Sequence, residues 1–554
     1  MNIFSKNNHA VSGFHFYLIV SVFLPVWCVR DVGASEKLPV PPLVFVLVVD
    51  QMRDDYFGKF QKVYSDSGFN RLLKNGVRFT RHFIPYANTE TGPGHATILS
   101  GRLPSSTAIV RNKWYYQGGD SAIYCEQGGP ADKVFYAETQ ERKGPAQFKG
   151  LTVGDMLKKT NSRSKVFALA TKDYAAVMLG GKSPDAVYWN ERVSHNITTS
   201  RYYVDSLPSW VSHWNSTNPV RNSWQTVWSM LLPEVKYKTA LMPVGNPYVK
   251  DKKWKGSFPH RLTSSSMGYH PMQTERELLF LQSLIQHESV GKDTIPDLVA
   301  WSISSTDYMG HQYGMESREL MDVYARIDKV IHKLLNFLNK ELGPQNYAFI
   351  LTSDHGVRKT VKLALARGDK KAVLLNKSKI TKNIIHKLRG VYSIPEIKSI
   401  NADFRLMRIR GNEVYFNRAL IDSLGLPYDA IIKSVASLLK ETKGIERVYD
   451  NRLTVSGDAF SNAYRKSYYQ GRSGTLSFAI TPHGSFDVVN GMHGYFGEDC
   501  QHIPLVAVLP GLNPAMVDRP TEITDLAPTL AALLRVTVET NFDGKVLPEL
   551  LLKE

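Results

Sequence analysis

The stretch Leu351-Thr352-Ser353-Asp354-His355-Gly356 closes a short apolar run that begins at Tyr347. Such a run predicts a buried strand, which here delivers an acid, an imidazole and a glycine turn at its end. Where a strand passes into a loop, successive side chains no longer alternate between opposite faces, so Asp354 and His355 can both reach one cation. Taken alone, a triplet of this kind is only a weak indication of a metal site.

Two further apolar runs end in the same way. Leu43 to Val49 leads into Asp50, and Leu298 to Ser304 leads towards Asp307, with His311 four residues later. Continuous apolar runs are typical of parallel strands that are covered on both faces, and such sheets collect ligands outside the carboxyl ends of their strands. The sequence therefore predicts an α/β fold with a mainly parallel central sheet and one crevice that receives three acids and two histidines.

The composition is that of a large globular protein. The chain has 554 residues, of which 43% are hydrophobic and 11% aromatic, and a chain of this length can form roughly two to four domains. The formal net charge of +17 suits an anionic substrate or an acidic surface, but it does not determine the fold. Cys125 and Cys500 could pair in an oxidising compartment, although two cysteines are too few for a disulfide scaffold.

The N-terminus predicts a signal peptide over residues 1–34. Lys6 precedes an apolar stretch from Phe14 to Val29, and Val32-Gly33-Ala34 offers small residues for cleavage after Ala34. An uncleaved membrane anchor is the alternative, but Pro25 and the short stretch disfavour it. We expect a periplasmic or secreted protein whose catalytic domain spans residues 35–554.

A glycine-rich loop before a helix marks a possible nucleophile. Ala87 to Thr97 contains Gly92-Pro93-Gly94, and backbone N–H groups at such a helix start can face an anion. A hydroxyl at this point is a candidate nucleophile. The alternative is that Thr89 or Thr91 only caps the helix.

Two segments read as insertions into the catalytic domain, at about residues 193–275 and 358–475. The first is rich in Trp, Tyr, Ser, Asn and Pro, with little periodicity. The second begins with Arg358 to Arg389, which holds eleven Lys or Arg and a single acid, Asp369. A solvated face explains this basic run, and a patch for an anionic polymer or membrane surface is the alternative. Between the insertions, Met321 to Leu342 has the apolar period of a helix, which Gly343-Pro344 ends.

The ligand types indicate the metal and the chemistry. Asp and His ligands without thiolates suit zinc, with manganese or iron as alternatives. So many carboxylates and imidazoles exceed the needs of one tetrahedral ion, which suggests two. Two ions a few ångströms apart can clamp the attacking and leaving oxygens of an in-line displacement at phosphorus.

Four motifs together resemble the alkaline phosphatase superfamily, and in particular its secreted, phosphate-irrepressible bacterial branch with a threonine nucleophile. They occur in the family's order: Val49-Asp50-Gln51-Met52-Arg53, Thr91-Gly92-Pro93-Gly94-His95, Ser305-Thr306-Asp307-Tyr308-Met309-Gly310-His311 and Ser353-Asp354-His355-Gly356. The resemblance runs from about Leu43 to the last helix. It implies an alkaline-phosphatase-like three-layer αβα sandwich with inserted cap segments.

The resemblance also implies roles for individual residues. Thr91 matches the nucleophile, which is phosphorylated transiently. The implied ligands of one zinc are Asp50, Thr91, Asp354 and His355, and those of the other are Asp307, His311 and His493. His493-Gly494 is preferred to the similar His483-Gly484 because it stands ten residues before Ile503-Pro504, as in the family. Asn112 and Lys172 match residues that contact the phosphoryl oxygens.

One position departs from the monoesterase branch. Tyr174 stands where that branch has an arginine, and a phenol offers one neutral donor in place of a two-pronged cation. We therefore expect a two-zinc hydrolase of small phosphate monoesters, with transition-state binding weakened by roughly ten- to a thousand-fold.

The sequence leaves three alternative functions. A phosphodiesterase or nucleotide pyrophosphatase of the same superfamily is the first, favoured by Tyr174 and disfavoured by Lys172. The second, of another class, is an inactive polyanion-binding protein. A sulfatase is disfavoured because Thr91 cannot replace the modifiable Cys or Ser of that branch. No specific recognition of nucleic acid is expected, and the sequence does not predict an oligomeric state.

Overall fold

The computed structural model describes residues 37–116, 121–137, 140–220, 227–238, 258–261, 270–366, 368–394, 406–453, 457–486, 491–538 and 541–552. The predicted signal peptide, residues 1–34, lies outside the described residues. Residues from Lys37 onward form one compact unit.

The strands of the described residues are β1 (Leu43–Val49), β2 (Val77–Phe79), β3 (His82–Phe83), β4 (Lys113–Tyr115), β5 (Ala122–Tyr124), β6 (Val166–Ala170), β7 (Ala186–Asn190), β8 (Ile197–Thr198), β9 (Val227–Trp228), β10 (His260–Arg261), β11 (Asp297–Ile303), β12 (Tyr347–Thr352), β13 (Val373–Leu374), β14 (Met407–Arg410), β15 (Glu413–Phe416), β16 (Ile445–Asp450), β17 (Leu476–Ile480), β18 (Gly484–Ser485), β19 (Leu505–Val508), β20 (Ala515–Val517) and β21 (Thr521–Glu522).

The α-helices of the described residues are α1 (Tyr56–Lys59), α2 (Phe69–Asn75), α3 (Thr91–Ser100), α4 (Pro104–Thr107), α5 (Val153–Thr160), α6 (Asp173–Gly180), α7 (Ser209–Thr217), α8 (Gln273–His287), α9 (Ser305–Tyr313), α10 (Arg318–Glu341), α11 (Val361–Ala366), α12 (Lys377–Tyr392), α13 (Arg418–Ser423), α14 (Tyr428–Lys440), α15 (Ala459–Ser467), α16 (Glu498–Gln501) and α17 (Leu526–Leu533).

The large sheet is central to the fold. Within the described residues it has nine strands in the order β20-β2-β19-β12-β1-β11-β6-β7-β8. Five of the eight neighbouring pairs are parallel, which confirms the predicted mainly parallel sheet. Strand β1 is in the middle, with parallel β12 on one side and parallel β11 on the other.

Both faces of this sheet are covered. Alternate residues of β1 belong to two separate hydrophobic cores, Leu43, Phe45, Leu47 and Val49 to one and Val44, Val46 and Val48 to the other. Helices α8 and α10 contribute to the first core, and α3, α5, α6 and α17 to the second. The predicted three-layer αβα sandwich is therefore confirmed, and the unbroken apolar run of β1 follows from burial on both sides.

A second, smaller sheet is formed by strands between residues 407 and 480. Its antiparallel order is β14-β15-β17-β16, and α12 and α14 pack against it in a core of their own. The predicted insertion ends near residue 475, but β17 (Leu476–Ile480) lies between β15 and β16. The smaller sheet therefore includes a strand beyond residue 475. In the described part of residues 193–275, the main elements are α7 and the β9–β10 pair.

The long helix begins one turn earlier than its apolar period predicts. Helix α10 starts at Arg318, because the Ser317 hydroxyl accepts a hydrogen bond from the Leu320 N–H at 3.1 Å and caps the first turn. It ends at Glu341, and Gly343 follows with φ +89°.

Cys125 and Cys500 are both buried and free, so the disulfide that the sequence permits is not formed. The Cys125 thiol faces Glu126, whereas the Cys500 thiol faces the Met492 carbonyl. Among the described residues, no helix combines the length and the apolar character needed to cross a bilayer.

Candidate active site

Three neighbouring strand ends build the site. Asp50 directly follows β1, Asp307 lies in the first turn of α9 after β11, and Asp354 and His355 follow β12. The registers pair Val49 with Ile303 and Val48 with Thr352, so all three strands end at the same edge of the sheet. The residues that the sequence predicts for one crevice therefore come together.

A first group of possible metal ligands is Asp307, His311 and His493. The His311 Nε2 atom lies 3.1 Å from Asp307 Oδ1 and 3.1 Å from His493 Nε2. His493 Nε2 lies 3.5 Å from the same carboxylate oxygen. Their Nδ1 atoms contact the backbone carbonyls of Gly491 and Thr89, which leaves both Nε2 atoms facing the group.

A second group consists of Asp50, Asp307 and His355. His355 Nε2 lies 3.6 Å from Asp50 Oδ1, 3.4 Å from Asp354 Oδ2 and 3.3 Å from the Thr91 hydroxyl. Asp50, Thr91, Asp354 and His355, which the resemblance implies as the ligands of one zinc, therefore lie close together. Asp307 belongs to both groups, so the two candidate cation positions are adjacent.

Two buried oxygen atoms test whether cations fit here. Asp50 Oδ1 and Asp354 Oδ2 are buried and have no hydrogen-bond partner among the described residues. A buried carboxylate oxygen that accepts no hydrogen bond is costly, whereas a divalent cation would satisfy it. Ligands about 2.0–2.2 Å from a tetrahedral ion lie about 3.4 Å apart, close to the spacings in both groups. The donor set therefore fits divalent metal ions.

Thr91 is the first residue of α3 and is 1% exposed. A Cβ on Gly94 would clash with the backbone of Asp354, so only glycine lets this helix start approach the ligand loop so closely. His95 reinforces the arrangement, because its Nδ1 contacts the Thr91 carbonyl at 2.9 Å and its Nε2 contacts the Ser302 hydroxyl at 2.7 Å. The helix start carries a partial positive charge, which suits an anionic substrate.

The predicted substrate residues lie beside Thr91. The Asn112 side-chain carbonyl accepts a hydrogen bond from the Gly92 N–H at 2.6 Å. The Lys172 ammonium lies 2.6 Å from Asp50 Oδ2 and 2.6 Å from Asp307 Oδ2, and thus joins the two metal groups. The Tyr174 ring lies 5.7 Å from the same ammonium. All three side chains are therefore at the site.

Sequence reasoning missed the roles of two residues. Gln51 has φ +66°, which lets its N–H donate to Asp354 and its amide Nε2 donate to Asp307 at 2.5 Å. The Glu90 carboxylate accepts from the Asn112 N–H at 2.9 Å and from Arg111 at 2.5 Å. Both residues directly adjoin predicted ligands, which is the one signal that the sequence offered.

His483, the rejected alternative to His493, lies elsewhere. Its ring pairs with Asp369 at 2.5 Å and is 41% exposed. It belongs to neither group of possible metal ligands.

The buried groups perturb one another. Burial and the neighbouring Asp354 carboxylate raise the pKa of Asp50 well above its usual value. Burial acts to raise the pKa of Asp307, but the His311 imidazole and the Lys172 ammonium hold that pKa well below its usual range. Burial lowers the pKa of His493 to about 3, which leaves a neutral imidazole at pH 7, the form that binds metals.

Comparison with known proteins identifies the family. The sequence model of the type I phosphodiesterase/nucleotide pyrophosphatase family matches residues 44–486. The chain belongs to this family. The family lies within the alkaline phosphatase superfamily, so the predicted relationship is confirmed.

Individual relatives cover almost the whole chain. A Myroides odoratus protein named calcium-transporting ATPase is 30% identical over 93% of this chain and 96% of its own length. The alkaline phosphatase PhoV of Synechococcus elongatus is 29% identical over 92% of this chain and 93% of its own. The crystal structure of the alkaline phosphatase PafA of Elizabethkingia meningoseptica superposes with a TM-score of 0.85 at 26% identity, over 93% of this chain and 99% of PafA.

The family and the shared fold make the protein a phosphoric ester hydrolase of the alkaline phosphatase type, as the sequence predicts. Proteins of this family act on small phosphate esters, and the two ligand groups agree with the use of divalent metal.

Proposed function

We propose that the protein hydrolyses phosphate monoesters with two zinc ions and a transient phosphothreonine at Thr91. The observation that carries the proposal is the convergence of two metal-ligand groups, which share Asp307, on the Thr91 hydroxyl. The family relationship and the resemblance to PhoV and PafA support the same reading.

The ligands are assigned from the two groups. Asp50, Thr91, Asp354 and His355 would hold one zinc, and Asp307, His311 and His493 the other. Bound zinc supplies Lewis acidity, which favours the deprotonated threonine and polarises the phosphoryl group. Each zinc ligand is already oriented by a backbone or side-chain contact, so little reorganisation is needed.

The protein's own groups then carry the reaction. Thr91 Oγ1 loses its proton to solvent and forms a bond to phosphorus while the bond from phosphorus to the ester oxygen breaks. The leaving alkoxide takes a proton from water and departs as the alcohol. In this proposal Asn112 and Lys172 stabilise the phosphoryl oxygens, as donors that meet charge developing in the transition state. Water then cleaves the phosphothreonine, which releases phosphate and restores Thr91.

Phosphodiester hydrolysis is the second candidate, and Tyr174 favours it. A diester carries one negative charge fewer, so it needs the missing arginine less. Lys172 favours the monoester, because its fully buried cation lies between the two metal groups. We rank the monoester first.

The proposed location rests on the N-terminal sequence. Residues 1–34 support export to the periplasm or the exterior with cleavage near Ala34. An inactive polyanion-binding protein is disfavoured because every proposed ligand is retained.

The test combines metal analysis with kinetics. Purified protein is expected to hold about two zinc ions and to hydrolyse p-nitrophenyl phosphate faster than bis-p-nitrophenyl phosphate. The Thr91→Ala variant should bind zinc yet release no phosphate, whereas Thr91→Ser keeps a nucleophile and should retain partial activity. Unchanged phosphate release by Thr91→Ala would refute the mechanism, and a strong preference for the diester would reverse the ranking.

A further inference from the structure

The Arg111 side chain is fully buried, and its guanidinium lies between two carboxylates from different parts of the fold. Its Nη1 atom donates to Glu90 at 2.5 Å, and its Nε atom donates to Glu413 at 2.9 Å. Its Nη2 atom donates to the side-chain oxygens of Asn88 and Asn412. A guanidinium presents its N–H donors in a rigid fork, so these contacts give Arg111 one defined position.

Two of these partners belong to the smaller sheet. Glu413 begins β15, and Asn412 lies in the turn that joins β14 to β15. Gly411 in the same turn has φ +56°, and a Cβ at this position would meet the Arg111 guanidinium. Glu413 is 2% exposed and also accepts a hydrogen bond from the Tyr415 hydroxyl at 2.8 Å. The smaller sheet therefore holds Arg111 through buried, charge-assisted hydrogen bonds.

The other end of this chain of contacts holds Asn112. The Glu90 carboxylate accepts from Arg111 with Oε1, and it accepts from the Asn112 N–H with Oε2 at 2.9 Å. The Asn112 backbone carbonyl accepts from the Cys125 N–H at 3.0 Å, and the side-chain Oδ1 accepts from the Gly92 N–H at 2.6 Å. Asn112 is thus fixed at three points.

These contacts decide which end of the Asn112 amide is left for a substrate. The Gly92 N–H can donate only to an oxygen, so the side-chain NH₂ group is the end that remains as a donor. A donor that meets the charge developing on a phosphoryl oxygen is most effective when the protein holds it in place before the reaction. Glu90 supplies part of that restraint, because it binds the backbone of the residue that carries the donor.

We propose that Arg111 is a positioning residue for the hydrolysis, which acts through Glu90 on Asn112. Glu413 holds Arg111 from the smaller sheet, so this sheet contributes to the rate although none of these three charged groups touches the substrate. The inference rests on the proposed function, in which Asn112 meets the phosphoryl oxygens.

The test is a double-mutant cycle between Arg111→Lys and Asn112→Ala. Lysine keeps the charge of Arg111, but its single nitrogen cannot reproduce the fork that bonds Glu90 and Glu413 together. The zinc-loaded proteins are assayed on p-nitrophenyl phosphate well below the Tm of each variant, and their zinc content is measured.

Asn112→Ala should lose about 10²–10³-fold in kcat/KM, the effect of one oxyanion donor. Arg111→Lys should lose about ten- to a hundred-fold and keep the zinc content of the wild type. Its kcat and kcat/KM should fall together, because the misplaced donor acts in the transition state. In the Asn112→Ala background, Arg111→Lys should change kcat/KM by less than about two-fold, since the donor that it positions is gone.

Two further variants test the ends of the chain of contacts. Glu90→Gln replaces Arg111→Lys in the cycle if the latter does not fold. Glutamine has one acceptor oxygen, so either the Arg111 guanidinium or the Asn112 N–H loses its partner, and the same dependence on Asn112 is expected. Glu413→Ala should reproduce the loss in kcat from the smaller sheet, and wild-type kcat in this variant would overturn the part assigned to that sheet.

Asp328→Asn is the matched control for a buried carboxylate. Asp328 accepts hydrogen bonds from the Phe69 N–H at 2.7 Å and the Ser65 N–H at 2.9 Å, and neither partner is a predicted site residue. This variant should lower Tm and leave kcat unchanged.

Other outcomes overturn the inference. Losses that multiply in the cycle would show that Arg111 does not act through Asn112. An equal loss of kcat in Asp328→Asn would reduce the effect to stability, and zinc loss in Arg111→Lys would assign it to metal binding. Wild-type protein without activity on p-nitrophenyl phosphate would instead refute the proposed function, on which the inference rests.

Discussion

The Lys172 ammonium lies 2.6 Å from Oδ2 of Asp50, and both side chains are buried. The same ammonium lies 2.6 Å from Asp307, so one cation joins two buried carboxylates of the metal groups. In metal-free protein, Lys172 supplies positive charge that bound zinc would otherwise supply. Breaking a buried ion pair by removing one partner costs roughly 3–5 kcal/mol.

Lys172→Ala should therefore destabilise metal-free protein more than zinc-loaded protein. Thermal unfolding with EDTA and with zinc measures the difference. Lys143→Ala is a matched control, because Lys143 is a buried lysine held by Glu126 at 2.7 Å and Asp173 at 2.8 Å. The control should lower Tm equally in both conditions, and an equal effect for Lys172→Ala would contradict the argument. The kcat/KM of Lys172→Ala on monoesters should also fall by about 10²–10³-fold.

Tyr174→Arg should increase monoesterase activity. The Tyr174 ring lies 5.7 Å from the Lys172 ammonium, so an arginine at this position would bring a guanidinium near the phosphoryl oxygens. We expect kcat/KM on p-nitrophenyl phosphate to rise by about ten- to a thousand-fold, and that on the diester to change less. Tyr174→Phe, which removes only the hydroxyl, should have a small effect. A variant that gains nothing on the monoester would show that Tyr174 does not limit activity.

The central sheet and most of the site were predictable from sequence. Strands β1, β11 and β12 are fully buried and mainly apolar because both faces of the sheet are covered, and each ends near an acid. Parallel neighbours end at the same edge, so the ends of these strands had to meet.

The remaining features depend on contacts that no local pattern encodes. The positive φ of Gln51 and its bond to Asp307 join residues 256 positions apart. Strand β17 is as apolar as the central strands, yet it pairs with β15 and β16 in the smaller sheet. The basic run of residues 358–389 gave no sign that part of it faces Arg408 and Arg410 across a groove, because the two segments meet only after folding.

His493→Ala should remove about one of two bound zinc ions. His493 Nε2 lies 3.1 Å from His311 and 3.5 Å from Asp307, so its loss leaves that group with two ligands, while the group of Asp50 and His355 stays complete. Metal analysis after dialysis measures the stoichiometry. His483→Ala is the control, since that ring pairs with Asp369 away from both groups. Equal zinc loss in the two variants would exclude His493 as a specific ligand.

Acid should destabilise the fold through His82, which is not one of the proposed metal ligands. Its ring is fully buried, with Nδ1 2.9 Å from the Thr521 hydroxyl and Nε2 without a partner among the described residues. Burial, and then the nearby His502, lower the pKa of His82 to about 3. Unfolding restores an ordinary value of about 6.5, so the unfolded chain binds a proton that the folded protein excludes.

The folded state consequently loses stability as the pH falls from about 6.5 towards 3, by about 1.4 kcal/mol per unit. Between pH 7 and 4.5 this amounts to about 3 kcal/mol. His82→Asn should lose that much less than the wild type over the same interval, because an amide does not titrate. Urea unfolding in EDTA at both pH values measures the difference without a contribution from metal release. The control His213→Asn replaces an exposed imidazole on α7 and should behave like the wild type. If His82→Asn lost as much unfolding free energy between the two pH values as the wild type, the acid sensitivity would belong to other groups.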